Sequence, residues 1–222
     1  MARIAEDLFL LLLDNAAAQP ALEPDRRGRL LAGAMLLDLA HACRIRPAGP
    51  GDPADTGHLL ALAAPGPVDP VVAPAVELLT RKPLRAKTAV AKLRKGAQDR
   101  VAAHLERLGV VSRVPVVSRV PVGPREVAWP IADRARVGAA RAAVLGALFD
   151  GAAPAPSTAA IVTLLHAADG LGALLSLNDR GWRWVHARAS EIASGSWVDE
   201  SPTGLPEMNL AVTASAVRSA LS

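Results

Sequence analysis

The sequence predicts a mainly α protein, a single globular helical domain over residues 1–222 with one exposed β-hairpin. Three observations carry that reading. Leucine- and alanine-rich stretches of helical length recur along the chain, separated by Pro/Gly turns. Residues 83–108 place Val90, Leu93, Ala97, Val101, Leu105 and Leu108 on one face at helical spacing. A valine-rich alternation follows in 110–129, opened by Gly109 and turned at Gly123-Pro124. Half of the residues are apolar but only 3% are aromatic, and tyrosine is absent. The core is therefore built from Leu, Val, Ile and Ala, and 222 residues suffice to bury one.

Ile4 to Asp14 has the length and leucine content of a buried helix, which Gln19-Pro20 ends. Arg27 to Ala42 forms a second, with Leu30, Leu31, Met35, Leu37 and Leu39 as its apolar positions. PAGPGDPADTG at 47–57 is a loop by composition, and His58 to Ala63 has the length of a short strand. Asp69-Pro70 resembles a helix start with proline at the first helical position. A long basic helix spans about 83–108, with Lys92 and Lys95 opposite its apolar face and Gly109 as its C-cap. Helices resume at about 132–149, 157–168, 179–194 and 207–221, with Ser157 placed as an N-cap.

Residues 110–121 read VVSRVPVVSRVP, one hexapeptide written twice. An even period keeps the two faces of a strand in register. Pro115 lacks a backbone donor, so the repeat divides into two shorter edge segments rather than one central strand.

The formal charge is +4 and the sequence pI about 10.0, which favours an anionic partner such as a membrane surface or nucleic acid. The scarcity of aromatic residues argues against single-stranded nucleic acid, whose bases need stacking platforms. Cys43, the single cysteine, excludes an internal disulfide and fits a reducing, cytoplasmic compartment; a small buried residue is its expected role. Glu6 and Asp7 stand where a signal peptide would be basic, and the run Leu8 to Leu13 is too short to span a bilayer.

Sites for chemistry are sparse. His41, His58, His104, His166 and His186 show no metal-ligand spacing, and neither a nucleophile elbow nor a glycine-rich phosphate loop is present. The reading is of a non-enzymatic protein without metal or cofactor. Trp182 and Trp184 lie two apart on a helix, so one packs inward while the other reaches the surface or an interface. The charge pattern is the clearest signal. Between Arg81 and Arg100 stand eight basic residues and one acid, Asp99, which makes either a solvated face or a cationic platform for phosphates.

Four segments in order resemble the Golgi phosphoprotein 3 family: LFLLLLD at 8–14, GAMLLDLA at 33–40, KLRKGAQDRVAAHLERLGVV at 92–111 and VAWPIADRAR at 127–136. The Ala-, Arg- and Pro-rich composition is similar to that of bacterial members. The resemblance implies a peripheral membrane protein that binds phosphatidylinositol 4-phosphate and recognises short cytoplasmic tails of membrane proteins. The family's pocket tryptophan and arginine fall at about Glu23 and Ala32, and its two helix positions at about Lys95 and Gln98. Lys92, Arg94 and Arg29 are the cations placed to assist Lys95. The resemblance also assigns the hairpin a role in self-association, here through Val114, Val116 and Arg119.

The expected function is binding of anionic lipid at the cytoplasmic face of a membrane. The alternative is a winged-helix DNA-binding protein, with the basic helix in the major groove and the hairpin as the wing.

Overall fold

A computed structural model describes residues 3–116, 127–198 and 204–221. Among these, nine α-helices and five short strands follow one another in chain order. The mainly α expectation holds. Helix α1 (Arg3–Leu13) is buried along almost its whole length, because Leu8 to Leu13 leave it no polar face. Helix α2 (Pro24–His41) begins with proline in its first turn and packs along α1. Asp38 on α2 supplies the start of α1, its two carboxylate oxygens accepting from the amides of Ile4 (2.8 Å) and Ala5 (3.0 Å). Those amides have no partner inside the helix, so a buried residue of α2 serves as the cap.

Strands β1 (Ile45–Pro47), β2 (His58–Ala61) and β3 (Leu84–Arg85) form a small antiparallel sheet in that order. The β2 strand falls inside the expected 58–63, whereas β1 and β3 are additions to the single hairpin expected. The Pro/Gly loop between β1 and β2 is clamped by a bidentate pair, Arg46 to Asp52, at 2.6 Å in both contacts. Asp69-Pro70 makes a turn in which Asp69 accepts from the Val71 amide; helix α3 (Ala73–Arg81) starts three residues later than expected. Cys43 is half-buried, with the left-handed backbone that ends α2, rather than a core residue.

The long helix expected over 83–108 is two helices, α4 (Ala86–Leu93) and α5 (Ala97–Arg107), separated at Arg94-Lys95-Gly96. Gly96 sits at φ +71°, a left-handed conformation that stops α4 and reopens the chain as α5. Val90, Leu93, Ala97, Val101 and Leu105 are all buried as the spacing predicts, but Leu108, past the end of α5, is 54% exposed.

Strands β4 (Val114–Pro115) and β5 (Val127–Ala128) pair antiparallel, Val114 opposite Ala128, as a hairpin whose turn lies outside the described residues. Helices α6 (Arg134–Phe149), α7 (Pro156–Ala167), α8 (Asp179–Ala193) and α9 (Leu205–Leu221) complete the fold. Ser157 is not an N-cap: Ala155 holds that place and Pro156 takes the first helical position. Arginines tie α6 to α1, with Arg136 on Glu6 and Asp7 and Arg141 on Asp14. The α9 helix packs on α2, α4 and α7, and the buried apolar residues form one continuous cluster.

Candidate functional site

The α4–α5 break sits against the first turns of α2. A Cβ added to Gly28 would lie 3.0 Å from the Arg94 carbonyl oxygen, so only glycine lets the two backbones approach this closely. Arg100 folds back over the break and donates to the carbonyls of Leu93 (2.8 Å) and Lys95 (3.3 Å), which the end of α4 leaves without helical partners. Arg94 forms an ion pair with Asp25, and Arg29 Nε lies 3.6 Å from the same carboxylate.

Two cavities open here, meeting at Pro24. One, about 400 Å³, is lined by Pro24, Asp25, Gly28, Arg94 and Lys95. The other, about 480 Å³, lies between the start of α2 and the hairpin, where Arg27, Gln98, Arg113 and Trp129 meet. The Arg27 guanidinium is already engaged: its Nε donates to Gln98 Oε1 at 2.5 Å, and Nη1 to the carbonyls of Pro20, Ala21 and Leu22. Burial pulls the Arg27 pKa down, while Glu23 and Asp99 act in the opposite direction. Arg113 lies over the Trp129 ring, 5.8 Å from its centroid.

The structure brings Arg94 and Lys95 into the first cavity and Gln98 into the second; Arg29 stands beside the first through Asp25. Lys92 is exposed on α4 and lines neither. Gln98 serves Arg27 rather than facing open space. Ala32 is fully buried and presents nothing to a ligand, and Glu23 is the exposed N-cap residue of α2. Val114 is exposed and Val116 half-buried at the hairpin, while Arg119 lies outside the described residues.

Of the eight cations between 81 and 100, Arg81 pairs with Glu77, Arg94 with Asp25, and Arg100 caps α4. Lys82, Arg85, Lys87, Lys92 and Lys95 are exposed and make no ion pair among the described residues. Sequence reasoning missed Arg27 and its convergence with Arg113 and Trp129, because that convergence depends on the hairpin folding over the start of α2. It also missed Gly96, although a glycine inside a helical pattern is the local sign of such a break.

Glu6, Asp69 and His104 bring ligand-type atoms within 4.8 Å of one another. The hydrogen bonds assign them another role. Arg136 holds Glu6 Oε2 at 2.7 Å, and Arg107 donates to His104 Nδ1 at 3.3 Å, which leaves the proton of neutral His104 on Nε2, facing Glu6 Oε1 at 3.4 Å. Glu6 and His104 thus belong to a network of hydrogen bonds and the Arg136 ion pair that joins α1 to α5 and α6, and Asp69 accepts from the Val71 amide. His166 and His186 pack ring to ring, and burial followed by the His186 and Arg218 charges lowers the pKa of His166.

Among the described residues, no helix is long and apolar enough to cross a membrane. No curated protein matches the chain. The family model for Golgi phosphoprotein 3 (GPP34) matches residues 4–203, in agreement with the four ordered segments, and the chain belongs to that family.

Proposed function

We propose that this chain is a peripheral membrane-binding protein that recognises anionic lipid through the surface of α4 and the α4–α5 break, and that it performs no catalysis. The observation that carries the reading is Lys95. It has no carboxylate partner among the described residues, it is exposed, and it lines the first cavity beside Arg94, where an anion could reach it. Lys92 extends the positive surface along α4. Each such cation contributes on the order of 1 kcal/mol near an anionic bilayer. Membership of the Golgi phosphoprotein 3 family supports a lipid or adaptor role of this kind, and the proposal extends to recognition of membrane-protein tails and to self-association at the hairpin.

A general anion preference fits better than strict recognition of one phosphoinositide. Tight phosphate recognition requires several converging free donors. Here Arg27 is already engaged by Gln98 and by carbonyls through Nε and Nη1, Gln98 is occupied by it, Arg94 is paired with Asp25, and Ala32 is buried. The DNA reading gains no support, because the helix it needs is broken and the exposed positions of α5 include Asp99 and Glu106.

The test is sedimentation with liposomes matched in total charge, containing either phosphatidylserine or phosphatidylinositol 4-phosphate. Both should pellet the protein at low salt, and the double variant Lys92→Glu, Lys95→Glu should lose at least roughly tenfold in affinity. Failure to bind either composition would remove the lipid reading. Strong preference for the phosphoinositide would instead show a selective pocket.

A further inference from the structure

A groove along α9 lies away from the α4–α5 break. Its wider part, about 870 Å³, runs between α9, the β1–β2 loop and the 3-10 turn at Ser196–Val198. Met208 and Val212 form its apolar wall and are more than half exposed, with Leu205 further exposed at the start of the helix. Exposed apolar residues at positions 205, 208 and 212 make a stripe that no described element covers. The groove then continues past Ser215 and Ala216. A second cavity, about 280 Å³, shares Thr56, Gly57, Ala216 and Ser219 with the first and is bordered by Arg85 and Lys87. These two cations make no ion pair among the described residues. The result is one continuous trough, apolar at one end and positively charged at the other.

We propose that this trough docks a short peptide segment with an apolar run followed by acidic residues. The apolar side chains lie on Met208 and Val212, and the acidic end reaches Arg85 and Lys87. Charge complementarity fixes the direction, and the small residues Ala211, Ser215 and Ala216 let a backbone lie close to α9. Hydroxyls along the walls favour a peptide over an acyl chain. The Ser194 and Ser196 hydroxyls donate to the Glu191 carbonyl, and that of Ser219 donates to the Ser215 carbonyl, so their oxygens remain acceptors for peptide N–H groups. An acyl chain could use none of these groups.

The experiment is fluorescence polarisation of the full chain with a labelled LLALDD hexapeptide, a charge-reversed LLALKK hexapeptide and dodecyl phosphate as competitor. Saturable binding of LLALDD and much weaker binding of LLALKK are expected. The double variant Arg85→Glu, Lys87→Glu should weaken LLALDD by roughly tenfold and strengthen LLALKK. Its thermal melt is checked against the parent chain, and Val212→Glu provides a second variant at the apolar end, which should also weaken LLALDD. Lys92→Glu, Lys95→Glu, which addresses the membrane surface, should leave peptide affinity within about twofold at physiological salt. Equal binding of the two peptides, binding of neither, or occupation by dodecyl phosphate alone would each overturn the proposal.

Discussion

Asp38 shows how much one buried side chain carries. Burial raises its pKa from 3.8 to about 8, against the opposing effect of the Ala5 and Ile4 amides, and the Glu6 charge adds to the rise. Because the folded value lies above the unfolded one, folding takes up a proton between about pH 4 and pH 8. Stability is then greatest on the acid side of this window and falls as pH rises through it, by at most about 1.4 kcal/mol per pH unit. Denaturant midpoints measured from pH 5 to pH 9 should show that decline, and Asp38→Asn should flatten it. The same substitution should cost about 1–3 kcal/mol at pH 6, since both oxygens of the protonated carboxyl keep lone pairs for the Ile4 and Ala5 amides, whereas the NH2 of an amide can accept from neither. Thr213 is the opposite case. Its hydroxyl is buried without a hydrogen-bond partner among the described residues, so Thr213→Val should be neutral or raise stability by up to about 1 kcal/mol in the same assay.

At the scale of elements, the break between α4 and α5 decides the site. Gly96→Ala places a side chain at φ +71° and its Cβ 3.2 Å from Arg100 Nη1, so a loss of roughly 1 kcal/mol is expected. Gly28→Ala should cost more, roughly 1–3 kcal/mol, because its Cβ meets the backbone carbonyl of Arg94, which cannot rotate away. Urea midpoints would rank the two. The break escaped the periodicity argument for a physical reason. Val90 and Leu93 before it and Ala97, Val101 and Leu105 after it all face the core, so the apolar stripe runs unbroken across the interruption. Leu108 follows the same spacing yet is exposed, because the helix has already ended beneath it. The strands β1 and β3 were illegible because they are three and two residues long, too short for an alternating pattern.

For the whole molecule, the charge excess is less uniform than a count suggests. Arg27, Arg100, Arg136 and Arg141 point inward and hold carbonyls or carboxylates, while lysines make up most of the free surface charge on α4 and its flanks. Liposome binding should therefore be screened strongly, falling by at least roughly tenfold between about 0.05 and 0.5 M salt, whereas thermal stability should change little. Trp182 packs partly on the core while Trp184 is exposed and stacks on Phe149, as two positions 200° apart on a helix require. The sequence by itself determined the helical class, the order of the helices and the family, because apolar periodicity and motif order are properties of the linear chain. Which cations remain free, and where an anion could meet them, was decided by tertiary structure. An arginine's fate depends on whether a carbonyl or carboxylate from a distant segment reaches it first, and at Arg27, Arg94 and Arg100 one does.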